Sequence, residues 1–153
     1  MKHTPMLCLC AIFLVHGSLC AQKTPLALNP NRIEKPLLFD ALPEVSEIGA
    51  EAIRQILGTA ENEQINIQLS SQLHLKGRIV AKNQQIPGTF SINIRAENYH
   101  NALFNLTVRL LADNTLSYQG RILHPRYGDA LVLTRENNRY YFRKRPLKLY
   151  MPE

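Results

Sequence analysis

Apolar residues alternate with polar residues along most of the chain after Glu63. In the first such stretch the apolar side chains all fall on odd positions, namely Ile65, Ile67, Leu69, Leu73, Leu75 and Ile79. A period of two is typical of a β-strand with one buried face. A straight strand of this length would run about 50 Å, so we expect bends at Ser70, Ser71 and Gly77. The alternation therefore predicts one long bent strand or two strands in phase.

Five further segments repeat this alternation, at residues 90–94, 104–110, 116–122, 131–133 and 140–142. Turn-forming residues separate them: Pro87 with Gly88, Glu97 with Asn98, Asp113 with Asn114, Gly128 with Asp129, and Asn137 with Asn138. Short connections make neighbouring strands antiparallel. The sequence therefore predicts an α+β fold, mostly β, in which an antiparallel meander of five to six strands forms a curved sheet or a small barrel.

One N-terminal amphipathic helix is predicted ahead of the strands, at residues 43–57. Its apolar side chains recur at intervals of three and four, and they are Val45, Ile48, Ala52, Ile56 and Leu57. Pro43 suits the first turn of this helix and Gly58 suits its end. Residues 22–42 hold three prolines, a density that favours an extended arm. This arm either lies against the domain or acts as a tether.

The first 21 residues have the pattern of a cleavable signal peptide. Lys2 precedes an apolar run of about 10 residues, too short to span a bilayer, and Ala21 supplies a small residue for cleavage. We therefore expect an exported, periplasmic or extracellular protein with the arm at 22–42 and a single domain at 43–153. All three cysteines lie in the leader, so the mature chain would have no disulfide. The alternative is an outer-membrane lipoprotein anchored through Cys20, although Leu19 is larger than the residue that such signals favour there.

The chain is basic, with 18 Lys and Arg against 12 Asp and Glu and a net charge of +6. If the apolar phase of each strand points inward, five arginines on five strands point outward: Arg78, Arg95, Arg109, Arg121 and Arg143. Guanidinium groups on neighbouring strands could bind phosphate, sulfate or carboxylate. The alternative is a solvated face whose arginines only cover their neighbours. Nucleic acid is disfavoured as a partner, since almost all the aromatic side chains fall in the inward phase.

The loop at residues 124–129 holds the densest set of reactive residue types. His124, Arg126 and Asp129 could build a ligand clamp, or an acid–base pair of a small hydrolase or lyase. The alternative is a tight turn, because turns use Pro, Gly and Asp for local reasons. His100, in the turn at residues 99–101, is a weaker candidate that could lie at the same rim of the sheet or at the opposite rim.

The motifs of common enzyme classes are missing from the mature sequence. It has no Gly-x-Ser-x-Gly, no phosphate-binding glycine loop and no close pair of histidines. We therefore expect no enzymatic activity, no cofactor, no metal site and no transmembrane segment in the mature chain. The leading hypothesis is a non-catalytic binding module of the bacterial cell envelope that holds an anionic ligand or a protein partner. The alternative is an accessory subunit of an envelope assembly that docks through its arm and helix.

Overall fold

A computed structural model describes residues 35–147 of the chain. The predicted signal peptide, the alternative anchor Cys20 and residues 22–34 of the arm lie outside the described residues, as do residues 148–153. In the described part, no helix is both long enough and apolar enough to cross a bilayer.

One antiparallel sheet of eight strands forms the body of the described region. Its strands are β1 (Val45–Ile48), β2 (Gln64–Gln68), β3 (His74–Ile86), β4 (Thr89–Ala96), β5 (Ala102–Leu110), β6 (Leu116–Leu123), β7 (Asp129–Glu136) and β8 (Arg139–Pro146). Strands β2 to β8 follow one another as a meander, and β1 pairs with β8 on the side of β8 that faces away from β7. The sheet curls into a half-barrel. The mostly-β meander is thus confirmed, with more strands than the five or six predicted.

The helix, α1 (Ala50–Gly58), is shorter than predicted because the residues before it form β1. Val45 and Ile48 lie three positions apart, an interval that also fits the apolar stripe of a helix. The prediction that the helix begins at residue 43 was wrong for this reason. Both residues are β-branched, which favours a strand when a neighbouring strand is present to pair with. That neighbour is β8, since Val45 pairs with Arg143 and Ile48 with Tyr140.

The long alternating stretch is two strands in phase, β2 and β3, joined by a short turn. Strand β3 contains a register shift against β4 between Ile79 and Ala81. Such a bulge changes which face the following residues occupy. Lys82 then pairs with the buried Ile92, and its Nζ donates a hydrogen bond of 2.9 Å to the carbonyl of Leu57 in the last turn of α1. The bulge therefore turns a lysine inward to cap the helix.

The concave side of the sheet is the hydrophobic core. The predicted inward positions of β2 to β5 and of the turn between β2 and β3 are buried there: Ile65, Ile67, Leu69, Leu73, Leu75, Ile79, Ile92, Ile94, Phe104, Leu106 and Val108. One face of α1 and one side chain of the arm complete the core with Ala52, Ile53, Ile56 and Phe39. Leu110 and Leu116 are exceptions to the predicted phase, at 48% and 37% exposed. These two residues pair with each other beside the turn that joins β5 and β6.

Gly77 and Gly120 occupy two places where the sheet has no room for a side chain. A Cβ atom on Gly120 would lie 2.8 Å from the Asn105 carbonyl oxygen and 3.1 Å from Cε2 of Phe104. A Cβ atom on Gly77 would collide with the carbonyl oxygen of Arg95. The glycine in the middle of each of these two strands therefore has a steric cause.

We expect Gly120→Ala to lower the free energy of unfolding by about 1–3 kcal/mol, because the new methyl group would displace Phe104 or the backbone of β5. The matched control is Gly58→Ala at the end of α1, where a Cβ atom would meet nothing within 4 Å. The control should leave stability unchanged or raise it slightly. Denaturant unfolding of both variants measures the difference, and equal effects would contradict the steric explanation.

Candidate functional site

The outer face of β3 to β6 carries four of the five arginines predicted to point outward. Arg78, Arg95, Arg109 and Arg121 lie one on each of these strands, and all four are exposed. The four strands contain no Asp or Glu. We name this surface, defined by these four arginines, the basic face. Cations without carboxylates between them create a positive local potential that attracts anions.

Arg78 and Arg95 stand directly opposite each other on β3 and β4. The Cβ atoms of opposed residues lie about 5 Å apart, so two like charges there destabilise the strand pair. Nη1 of Arg78 donates to the carbonyl of Asn62 at 3.0 Å, which orients the side chain without neutralising it. Among the described residues, the ion pairs within 4.0 Å involve other cations, namely Arg54, Arg139, Arg143 and Lys144.

Arg143, the fifth predicted arginine, is not part of the basic face. It lies on β8, and its Nη2 donates to both carboxylate oxygens of Glu136 at 2.7 and 2.8 Å. Val132 stands between it and Arg121 in one row across the sheet. Arg109 is near the other end of β5. The five arginines therefore do not stand in a single row across the strands.

Amide and hydroxyl side chains occupy outward positions between the arginines: Asn93, Asn105, Thr107, Ser117 and Gln119. Nδ2 of Asn105 donates to Oδ1 of Asn93 at 2.7 Å, and Asn105 pairs on its other side with Arg121. A depression of about 40 Å³ is lined by Thr107, Arg109, Leu111, Ser117 and Gln119. Small-molecule pockets measure roughly 300–1,000 Å³, so this depression could not enclose such a ligand. Binding on this part of the face would be by surface contact.

The two loops predicted as rim candidates meet at one end of the sheet. The ring of Tyr127 lies 5.6 Å from that of His100 and 5.1 Å from that of His124, measured between centroids. Tyr99, next to His100, packs on Phe39 of the arm at 5.4 Å, and burial raises the pKa of its phenol above the ordinary value. His100 and His124, which the sequence could not place relative to each other, thus lie at the same rim.

Asp129 anchors the arm to this rim. Its Oδ1 accepts the N–H of Leu38 at 2.7 Å and its Oδ2 accepts the N–H of Phe39 at 2.9 Å. The residue is only 5% exposed, so these are buried charge-assisted hydrogen bonds, which are stronger than neutral ones. The N–H of Gly128 also donates to the carbonyl of Pro36 at 2.9 Å. The described end of the arm therefore lies against the loop at residues 124–129.

His124 and Asp129, considered as one possible acid–base pair, each have a backbone partner instead. Both carboxylate oxygens of Asp129 accept backbone N–H groups of the arm, and Nδ1 of His124 accepts the N–H of Arg126 at 3.1 Å. Arg126 itself is exposed at the rim. Within residues 35–147, no group of three His, Cys, Asp or Glu side chains is arranged to hold a metal ion. The loop at residues 124–129 thus serves to fasten a segment that is distant in sequence.

Some polar groups at these surfaces were not predicted as candidates. Asn93 and Asn105 share the outward phase of the arginines, so the alternation contained the signal that could have identified them. The sequence contained no pattern that could have identified Lys35 as part of the rim. Its Nζ donates to the carbonyl of Pro125 at 2.7 Å, a contact between residues 90 positions apart.

We expect Asp129→Asn to lower the free energy of unfolding by about 1–3 kcal/mol, because an amide can accept only one of the two N–H bonds and turns its own NH₂ toward the other. Asp40→Asn removes an exposed carboxylate from the same arm and should change stability by less than about 0.5 kcal/mol. Denaturant midpoints of the two variants provide the measurement. If both variants lose the same stability, Asp129 does not anchor the arm.

The described surfaces thus offer two candidate sites, the basic face and the rim of His100, His124 and Tyr127. Comparison of the chain with protein-family models, with curated proteins and with solved structures gave no match.

Proposed function

We propose that this chain is an exported, non-catalytic binding module of the bacterial cell envelope and that it holds an anionic ligand on the basic face. The leader-like first 21 residues support export, and the basic composition supports an anionic partner. The position of the arginines supports the face as the site. They project from four adjacent strands of a rigid sheet, and sites built on strands hold their side chains more accurately than sites on loops.

The observation that carries this proposal is the direct opposition of Arg78 and Arg95. Two guanidinium groups facing each other across a strand pair cost stability unless an anion lies between them. Neither has a carboxylate within 4.0 Å among the described residues, although Glu136 and Glu47 neutralise Arg143 and Arg139 elsewhere on the sheet. An anionic ligand would convert this repulsion into two attractive contacts.

The alternative hypothesis, an accessory subunit that docks through its arm and helix, has less support. Phe39 of the arm is 1% exposed, and the apolar side chains Ile53 and Ile56 of α1 are equally buried. A docking surface would instead leave such side chains exposed before the partner binds. Leu37 of the arm is 54% exposed, but the largest apolar side chains of the arm and α1 are used within the domain, which leaves less apolar surface for a partner.

We expect Arg95→Gln to raise the free energy of unfolding in chloride by about 0.2–1 kcal/mol, because it removes the repulsion with Arg78. Millimolar sulfate should raise the Tm of the wild-type protein more than that of the variant, since an ion that binds the folded state stabilises it. Thermal unfolding in chloride and in sulfate at equal ionic strength measures both effects.

The matched control is Arg139→Gln, which removes an arginine that lies off the basic face and contacts Glu47 at 3.5 Å. This variant should keep the wild-type response to sulfate. Equal sulfate shifts in all three proteins would be the general effect of an excluded salt, and the basic face would then not be an anion site.

A further inference from the structure

We infer that the ligand of the basic face is a linear acidic polysaccharide that lies along strands β3 to β6. The inference rests on the function proposed above and names the chemical class of the anion. Three features of the face support it: the distance over which its arginines are spread, the polar side chains between them, and the absence of outward aromatic residues on these four strands.

The arginines are too far apart for one small anion. Arg95 pairs with Leu103, and Leu103 is six residues from Arg109 on the same strand. At about 3.3 Å per residue this places the Arg78 and Arg95 pair about 20 Å from Arg109. Arg121 lies between the two ends, because it pairs with Asn105 in the middle of β5. A ligand that contacts all four arginines must therefore carry several negative charges along an extended chain.

The side chains between the arginines suit a ligand rich in hydroxyl groups. The opposed pair Asn93 and Asn105 is already joined by one hydrogen bond, which leaves both N–H groups of the Asn93 amide and one N–H group and the side-chain oxygen of Asn105 for other partners. Thr107, Ser117 and Gln119 continue the same polar surface toward Arg109. Guanidinium, amide and hydroxyl groups on one surface match the carboxylates or sulfates and the hydroxyl groups of an acidic sugar chain.

Two other polyanions fit this surface less well. Single-stranded nucleic acid requires aromatic side chains on which the bases can stack. The Phe and Tyr residues of β3 to β6 are Phe90, Phe104 and Tyr118, and all three share the inward phase of the core residues. A flat bilayer would touch only the crest of an outward-curving sheet, so its headgroups would reach fewer of the arginines than a flexible chain would.

Polygalacturonate, a linear chain of sugar carboxylates, is the probe that we would use on the purified protein. The comparison probes are polyphosphate, a single-stranded oligodeoxynucleotide, neutral dextran and vesicles of phosphatidylcholine with phosphatidylglycerol. Calorimetry at matched ionic strength should show binding to polygalacturonate in preference to the other four. Its affinity should fall with added salt, with a logarithmic slope on the order of −3 for about four neutralised charges.

Two sets of variants separate charge from sugar recognition. Arg121→Gln should weaken polygalacturonate binding about three- to tenfold, and Arg139→Gln should not change it. The double variant Asn93→Ala with Asn105→Ala removes both members of the amide pair, so no unpaired amide remains. It should weaken polygalacturonate binding about threefold or more and leave binding of polyphosphate unchanged.

The outcomes distinguish this inference from the function on which it rests. Equal or tighter binding of polyphosphate, oligonucleotide or anionic vesicles, unaffected by the amide variant, would overturn the polysaccharide and keep an anionic ligand. No binding of any polyanion, together with no specific response to sulfate, would overturn both. Preference for polygalacturonate with sensitivity to Arg121 and to the amide pair supports both.

Discussion

The two edge strands of the sheet, β1 and β2, do not pair with each other, so other parts of the chain must cover the concave side. Helix α1 connects these two edges and packs its apolar stripe into the core. Phe39 fills the rim, held there by the two hydrogen bonds that Asp129 accepts. An antiparallel sheet that curls without closing is thus completed by one helix and one anchored side chain.

This arrangement assigns separate tasks to the two faces of the sheet. The inward face of each central strand is occupied by packing, so the chemistry available for binding lies on the outer face and at the rims. Residues of the basic face such as Arg121 and Asn105 contribute little to the core. Their identity can therefore change while the fold is kept, since substitutions at exposed positions usually have small effects on stability.

The alternation of apolar residues predicted the meander and the inward phase of its strands, because side chains in a strand alternate between two faces. It also placed Arg78, Arg95, Arg109 and Arg121 on the outside. It could not predict which residues stand opposite each other, since register depends on turns and bulges such as the one before Ala81. Strand β1 and the anchoring role of Asp129 were missed because their partners lie about 90 or more residues away.

The pairing of β1 with β8 has a consequence for the order in which the chain can fold. A strand made early acquires its neighbour only when residues 140–143 exist and are free to pair. The meander from β2 to β8 can form by adding each strand to the one before it, whereas β1 has no strand to pair with until β8 has been made. Contacts between distant parts of a chain form slowly. A chain made from its N-terminus must therefore be almost complete before the sheet can be finished.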